Sequence, residues 1–364
     1  MIPTLHPTLT PAFLVEQALL GTLLLDPSRS TELTADSLTP AMFSTAAHSA
    51  IFIAIRTLPA PDPAEHVHSP AWLGDVLEAT AALVRGVDLP YLHTLVQATR
   101  GPGHLPAYSA IIADAAFRRR LADQATRLAR TASEATAPAP VTAVLREADE
   151  LRTLLDGWAA TPTAHKRALP RSEPPTVTSS DPQAADEELL LLATAVAHPH
   201  EAATLRLSPH DFTDPSRAAL WKSVTAILTR QEMLDPLTLL CEAPHHGVPV
   251  DADPRPLLDT LSQPEGRPTH WATQILARAL LANASYAGRR IAHYADDPAL
   301  TPAQVHLGSR RALDHLDSVR DRWHRVTSPP PPPPRREPAL QPRPRSTAPR
   351  TRAPRLDHTR PHHG

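Results

Sequence analysis

The sequence predicts an all-α protein: two tandem helical-bundle domains, each with a carboxy-terminal helical hairpin, followed by a disordered Pro/Arg-rich tail. Three observations lead there. Apolar residues recur at helical spacing while alternating runs of Val, Ile and Thr are scarce. Helix-start signatures appear repeatedly, with Thr39, Ser208, Asp214 and Thr301 each placing a capping side chain before a proline. A series of landmarks also occurs twice in the same order, which is the mark of a duplicated architecture.

The landmarks begin with an acidic residue, an apolar helix and a proline-closed turn, over residues 16–27 and again over 188–199. Leu38-Thr-Pro-Ala-Met-Phe43 then matches Leu207-Ser-Pro-His-Asp-Phe212, and nine residues beyond each Phe stands Phe52 or Trp221. Leu92 and Leu95 correspond to Leu258 and Leu261, and Tyr108 and Ile112 to Trp271 and Ile275, each pair opening a long arginine-bearing helix. Both repeats close on a stripe at helical spacing. Val144, Ala148, Leu151, Leu155 and Trp158 form one, and Val305, Ala312, Leu316, Val319 and Trp323 the other. Thr301 and Gln304 have capping-box spacing at the start of the last helix.

These landmarks divide the chain into a first domain over 1–160, a proline-rich linker over 161–183, a second, divergent domain over 184–327 and a tail over 328–364. The linker has little apolar content. The tail opens on six consecutive prolines and continues in Arg-Pro low complexity, with too little apolar surface to offset chain entropy.

Composition sets limits. Of 364 residues 41% are hydrophobic and 20% charged, enough for two ordinary cores. The net charge of -2 conceals an uneven spread: the tail carries +6 and the remainder -8. The single cysteine, Cys241, permits no internal disulfide and no cysteine-based zinc cage, in keeping with a reducing cytosol. The first 25 residues have no basic leader. Their apolar run, from Ala18 to Leu25, is far short of the roughly 20 residues that a span needs. A cytoplasmic protein without a membrane partner is expected.

The run Glu16-Gln-Ala-Leu-Leu-Gly-Thr-Leu-Leu-Leu-Asp-Pro27, with Leu38-Thr-Pro-Ala-Met-Phe43 and Ala47-His48-Ser-Ala-Ile51-Phe52, resembles the opening of the amino-terminal domain of DnaB-type replicative helicases. The second repeat keeps the frame with Asp211-Phe212, Pro215, Arg217 and Leu220-Trp221. It adds Asp235-Pro-Leu-Thr-Leu239, similar to the family's D-x-V-T-L. It also departs, with all-apolar Leu189-Leu-Leu-Leu-Ala193 in place of Gln-Ala-Leu-Leu-Gly; the first repeat has Pro59 to Pro63 where D-x-V-T-L is expected. The resemblance implies a compact helical head followed by a long hairpin. In the family such domains pair into a collar above the ATPase tier and receive primase and helicase loaders. Leu151, Leu155, Trp158, Leu316, Val319 and Trp323 are therefore the candidate helix-pairing and partner surface, and self-association through the hairpins is expected.

A helicase motor needs a G-x-x-x-x-G-K-[ST] phosphate loop. The only lysines, Lys166 and Lys222, follow His165 and Trp221, and neither completes it. The expectation is a non-enzyme without cofactor: a replication accessory or adaptor that binds replicative helicase or primase. Two alternatives stay open, mimicry of the helicase-binding domain of primase and a nucleic-acid-binding role for the tail. In the tail Arg335, Arg336, Arg343, Arg345, Arg350, Arg352, Arg355 and Arg360 can neutralise single-stranded DNA phosphates without reading sequence. The 20 histidines, including His198 with His200, His245 with His246 and His362 with His363, read as surface residues and not as metal ligands. Asp186, Glu187 and Glu188 read as a helix-start charge set. Arg118, Arg119, Arg120, Arg127, Arg130, Arg278, Arg289 and Arg290 read as a solvated helix face.

Overall fold

The computed structural model describes residues 10–328 apart from 35–36, 67, 70, 100, 102, 135–140, 159–181 and 249–252. The tail arginines and nearly all of the expected linker lie outside the described residues. Among those described there are fourteen α-helices and no strand.

Local chemistry starts most of the helices. In α1 (Pro11–Leu25) the Thr10 side chain accepts from the Phe13 amide and Pro11 fills the first helical position. In α2 (Ala46–Thr57) Thr45 caps the His48 amide. After the short α3 (Pro63–His66) come α4 (Ala71–Ala81) and α5 (Leu89–Ala98), the latter capped by Asp88. These helices and the start of α6 (Leu105–Glu134) enclose the first head, whose core holds Leu20, Leu24, Ile51, Phe52 and Leu95. Each such side chain contributes about 1.5–3 kcal/mol by leaving water.

The second head is assembled in the same way from α8 (Pro182–Ala197), α9 (Pro199–Ala202), α10 (Pro215–Thr229), α11 (Pro236–Glu242), α12 (Arg255–Leu261) and the start of α13 (Pro268–Asp296). Asp214 caps α10 through the Ser216 and Arg217 amides. Asp235 and Thr238 close a reciprocal capping box on α11, and Ser208 with Asp211 closes another on the preceding 3-10 turn. Thr39 behaves differently. It precedes a single 3-10 turn, Pro40–Met42, and its side chain caps nothing.

The remaining helices form a shared body. Helix α6 returns through α7 (Val141–Asp156) and α13 returns through α14 (Pro302–Thr327), where Thr301 and Gln304 bond reciprocally at the helix start. The two hairpins pack on each other around a common core, and α6 against α13 is the most extensive helix contact among the described residues. These two helices run antiparallel. Arg118, in the middle of α6, donates to the carbonyls of Asp297 and Leu300 just beyond α13, whereas Ser133, late in α6, meets Ser285 within α13 at 2.8 Å. Helices α7 and α14 are antiparallel too, with Arg152 against Asp317 at 2.5 Å and Arg320 against Asp149 at 2.5 Å.

Candidate functional site

The hairpin stripes lie inside the body. Leu151, Leu155, Leu316 and Val319 are buried in the core that the two hairpins share. Pairing within one chain thus occupies these four side chains. The two tryptophans at the stripe ends are half-buried against that core, but their surroundings differ. Trp158 stacks on Phe117 of α6 with centroids 4.0 Å apart and planes at 15°. Among the rings of the described residues Trp323 meets only the edge of His324, at 5.1 Å.

Beside Trp323 an open groove of about 880 Å³ runs between α7 and α14. Leu145 and Trp323 supply apolar wall, and Arg146, Asp149, Glu150, Arg320 and His324 supply charge of both signs. A second depression of about 470 Å³ lies on the second head, where Trp221 and Pro209 meet the cations Lys222 and Arg230. These concavities suit association with a surface of mixed polarity.

Each head is held by a buried carboxylate. In the first, Glu16 is fully buried and accepts from the Ser44 amide at 2.9 Å and the Ser44 hydroxyl at 2.8 Å; His48 Nδ1 lies 2.6 Å away. His48 Nε2 continues the chain to the Tyr91 hydroxyl at 2.7 Å. Burial holds the Tyr91 phenol above its usual pKa; the Glu16 charge adds to the rise and a hydrogen bond with Gln17 opposes it. In the second head, Glu188 is fully buried and accepts from the Thr213 amide at 2.6 Å and the Thr213 hydroxyl at 2.7 Å, with Arg217 Nη1 at 3.6 Å. Ser44 and Thr213 each follow the landmark Phe, and His48 and Arg217 each stand five residues after it. The arrangement joins α1 to α2 and α8 to α10 through buried side chains. Although a Glu–His pair is the chemistry of a general base, a substrate has no access to this one.

Several charged residues depart from the sequence reading. Glu187 and Glu188 lie in the second turn of α8, not at its start, and both are buried: Glu187 pairs with Arg278 of α13. The arginine face is divided: Arg120, Arg127, Arg130 and Arg289 are exposed, as the sequence reads, whereas Arg118, Arg119, Arg278 and Arg290 are partly buried. Arg118 donates to the carbonyl of Asp297, which caps α13, and to that of Leu300 in the loop beyond, where a cation also complements the helix dipole. Arg119 donates to the Met42 carbonyl at 2.7 Å, tying α6 to the first head. Arg290 bonds the Tyr294 hydroxyl at 2.6 Å, and Arg127 bonds Gln124. Sequence periodicity places a charge on a helix face; only the partner helix decides whether that face meets water.

A second tie joins α14 to the second head. Arg322 donates to Asp211 Oδ1 at 2.6 Å, and Asp211 is almost wholly buried. Burial pushes the Asp211 carboxyl above its usual value, outweighing the opposing Arg322 charge.

Among the described residues no three His, Cys, Asp or Glu side chains are grouped to hold a metal ion, and Cys241 is exposed. No described helix is long and apolar enough to cross a membrane. The glutamate motif was within reach of the sequence, since the hydroxyl residue and the basic residue follow each landmark Phe at equal spacing. Its meaning was not, because the pairing spans 25–32 residues of chain.

Residues 11–114, from α1 into the first third of α6, match the family model of the DnaB-like helicase N terminal domain. The first head is thus similar to the amino-terminal domain of DnaB-like helicases. No curated protein and no solved structure matches the chain.

Proposed function

We propose that the chain is a non-catalytic replication accessory protein, a self-paired analogue of the helicase collar that binds replicative helicase or primase. The match of the first head to the DnaB-like N-terminal family carries the reading. The second head is the second copy in this reading, because Glu188, Thr213 and Arg217 take the places of Glu16, Ser44 and His48 around the same landmark Phe. Two hairpins covalently joined need no partner chain to pair: linkage supplies an effective concentration of about the millimolar range. With the facing stripes occupied, partner contact falls to the outer surfaces of the heads and hairpins.

The role is binding and not strand separation, since neither lysine completes a phosphate loop and the buried Glu16–His48 pair is closed to substrate. The test is to mix the full chain with the cognate replicative helicase, and separately with primase, at micromolar concentration. Native mass spectrometry is expected to show a complex with one of them; its absence with both overturns the proposal. If the chain displaces primase from the helicase, it acts as a primase mimic. If it holds primase directly, it acts as a collar.

The charge asymmetry favours a second activity, in which the eight tail arginines hold single-stranded DNA. Binding that is lost on deleting 329–364 and weakens steeply with salt is then expected. Binding unchanged by the deletion rejects it.

A further inference from the structure

We propose that Gly288 is a pairing-selective residue: the crossing of α6 and α13 admits a methyl from one helix only. The first hairpin therefore fits a hairpin with glycine at this position and does not fit a second copy of itself. The inference rests on the tandem-copy reading, which sets the register between the two long helices. Tyr108 and Ile112 stand opposite Trp271 and Ile275 in that register, so the counterpart of Gly288 is Ala125.

These counterparts meet in space. A β-carbon on residue 288 would lie 2.5 Å from the Ala125 carbonyl oxygen, 2.7 Å from the Ala129 amide nitrogen and 2.9 Å from the Ala129 Cβ. In a two-fold pairing, equivalent residues face one another near the axis, as subunits do in an isologous dimer. The antiparallel course of α6 and α13 and the contact of Ala125 with Gly288 place that axis at this crossing. Two of the three atoms that a new methyl would strike are backbone atoms, which no rotamer change removes. Only displacement of a whole helix makes room, at the expense of the packing on either side.

Three pairings follow from the register. Two first hairpins would bring alanine against alanine and exceed the space. Two second hairpins would bring glycine against glycine and leave both first hairpins without a fitting partner. Pairing of unlike hairpins satisfies every copy. The polar contact nearby discriminates in the same sense: Ser133 Oγ meets Ser285 Oγ at 2.8 Å, whereas the α6 counterpart of Ser285 is Ala122, which has no hydroxyl to offer.

A mutant cycle on the full chain tests the idea by thermal denaturation. Gly288→Ala is expected to lower Tm by about 5 °C or more through overpacking. Ala125→Gly alone lowers Tm by a few degrees, as glycine does inside a helix. In the Gly288→Ala background Ala125→Gly brings no rescue, because the atoms struck, the Ala125 carbonyl oxygen and the Ala129 amide nitrogen and Cβ, all remain. Should Gly288→Ala fail to fold, a folded Ala125→Gly is the supporting result, and failure of both single variants overturns the proposal. An unchanged Tm in Gly288→Ala defeats the selectivity and leaves the tandem reading intact. An Ala125→Gly loss as large as that of Gly288→Ala shows that the two sides of the crossing are equally tight, which overturns a crossing that excludes a methyl on one side only.

Discussion

His48 Nδ1 lies 2.6 Å from Glu16 Oε2, and both side chains are sealed from solvent. One carboxylate in this position answers an amide, a hydroxyl and an imidazole, so its removal strands three groups in a medium where unmet polarity is costly. Glu16→Ala is expected to destabilise the protein by about 3 kcal/mol in chemical denaturation. Glu188→Ala is expected to cost less, because its Arg217 partner reaches solvent and stays hydrated when released. Equal costs, or a smaller cost at Glu16, would contradict this account.

Arg322 and Asp211 supply a pH signature. The Asp211 carboxyl is raised above its usual value by burial, while Arg322 pulls it down. A carboxylate raised in the folded state binds its proton more tightly there than in the unfolded chain. Its contribution to stability is therefore full below the unfolded pKa and is lost as pH rises through the folded one. Arg322→Ala removes the lowering influence and leaves a buried charge alone, at a cost of about 3 kcal/mol near neutral pH. The deficit is expected to shrink as pH falls and Asp211 takes up its proton. Urea titrations of the parent and variant at pH 7.5 and pH 5 measure this; a deficit that grows in acid refutes it.

The tryptophans ending the two stripes should respond unequally. Trp158 lies flat on Phe117 and next to His306, at 5.8 Å, whereas Trp323 borders the open groove. An aromatic stack adds about 0.5–1.5 kcal/mol beyond area burial. Trp158→Ala is therefore expected to lower Tm by several degrees more than Trp323→Ala. Differential scanning calorimetry decides, and a larger loss at Trp323 would show that the groove side holds the body together.

The readability of the sequence follows the range of the interactions. Caps at Asp214, Asp235 and Thr301 were legible because donor and acceptor lie within three residues. The all-α class was legible because helical period and the scarcity of alternation are local properties. Arg278 and Glu187 were not: 91 residues separate the partners, and each alone looks like an ordinary charge on a helix. Gly288 was equally silent, since its lack of a side chain has meaning only against Ala125 and Ala129. The same holds for the groove, whose walls come from two helices about 170 residues apart in the chain.

Gly21 of α1 gives the sharpest separation of local preference from packing. Glycine inside a helix is normally a weakness, and replacing it with alanine gains up to about 1 kcal/mol. Here α5 crosses so closely that a β-carbon on residue 21 would overlap the Leu95 carbonyl oxygen and the Thr99 hydroxyl. The threonine can rotate, but the carbonyl belongs to helix backbone and cannot. The overpacking cost, about 1–3 kcal/mol, therefore meets or exceeds the propensity gain, and Gly21→Ala is expected to lower Tm although it improves the helix. The corresponding residue of α8 is Ala193, fully buried, so that position of the second head already accommodates a methyl. Ala193→Gly should lose both helix propensity and packing, about 1–2 kcal/mol. Opposite substitutions at matched positions are thus both expected to destabilise, and a Gly21→Ala variant that melts higher than the parent would show that α1 and α5 can separate without loss.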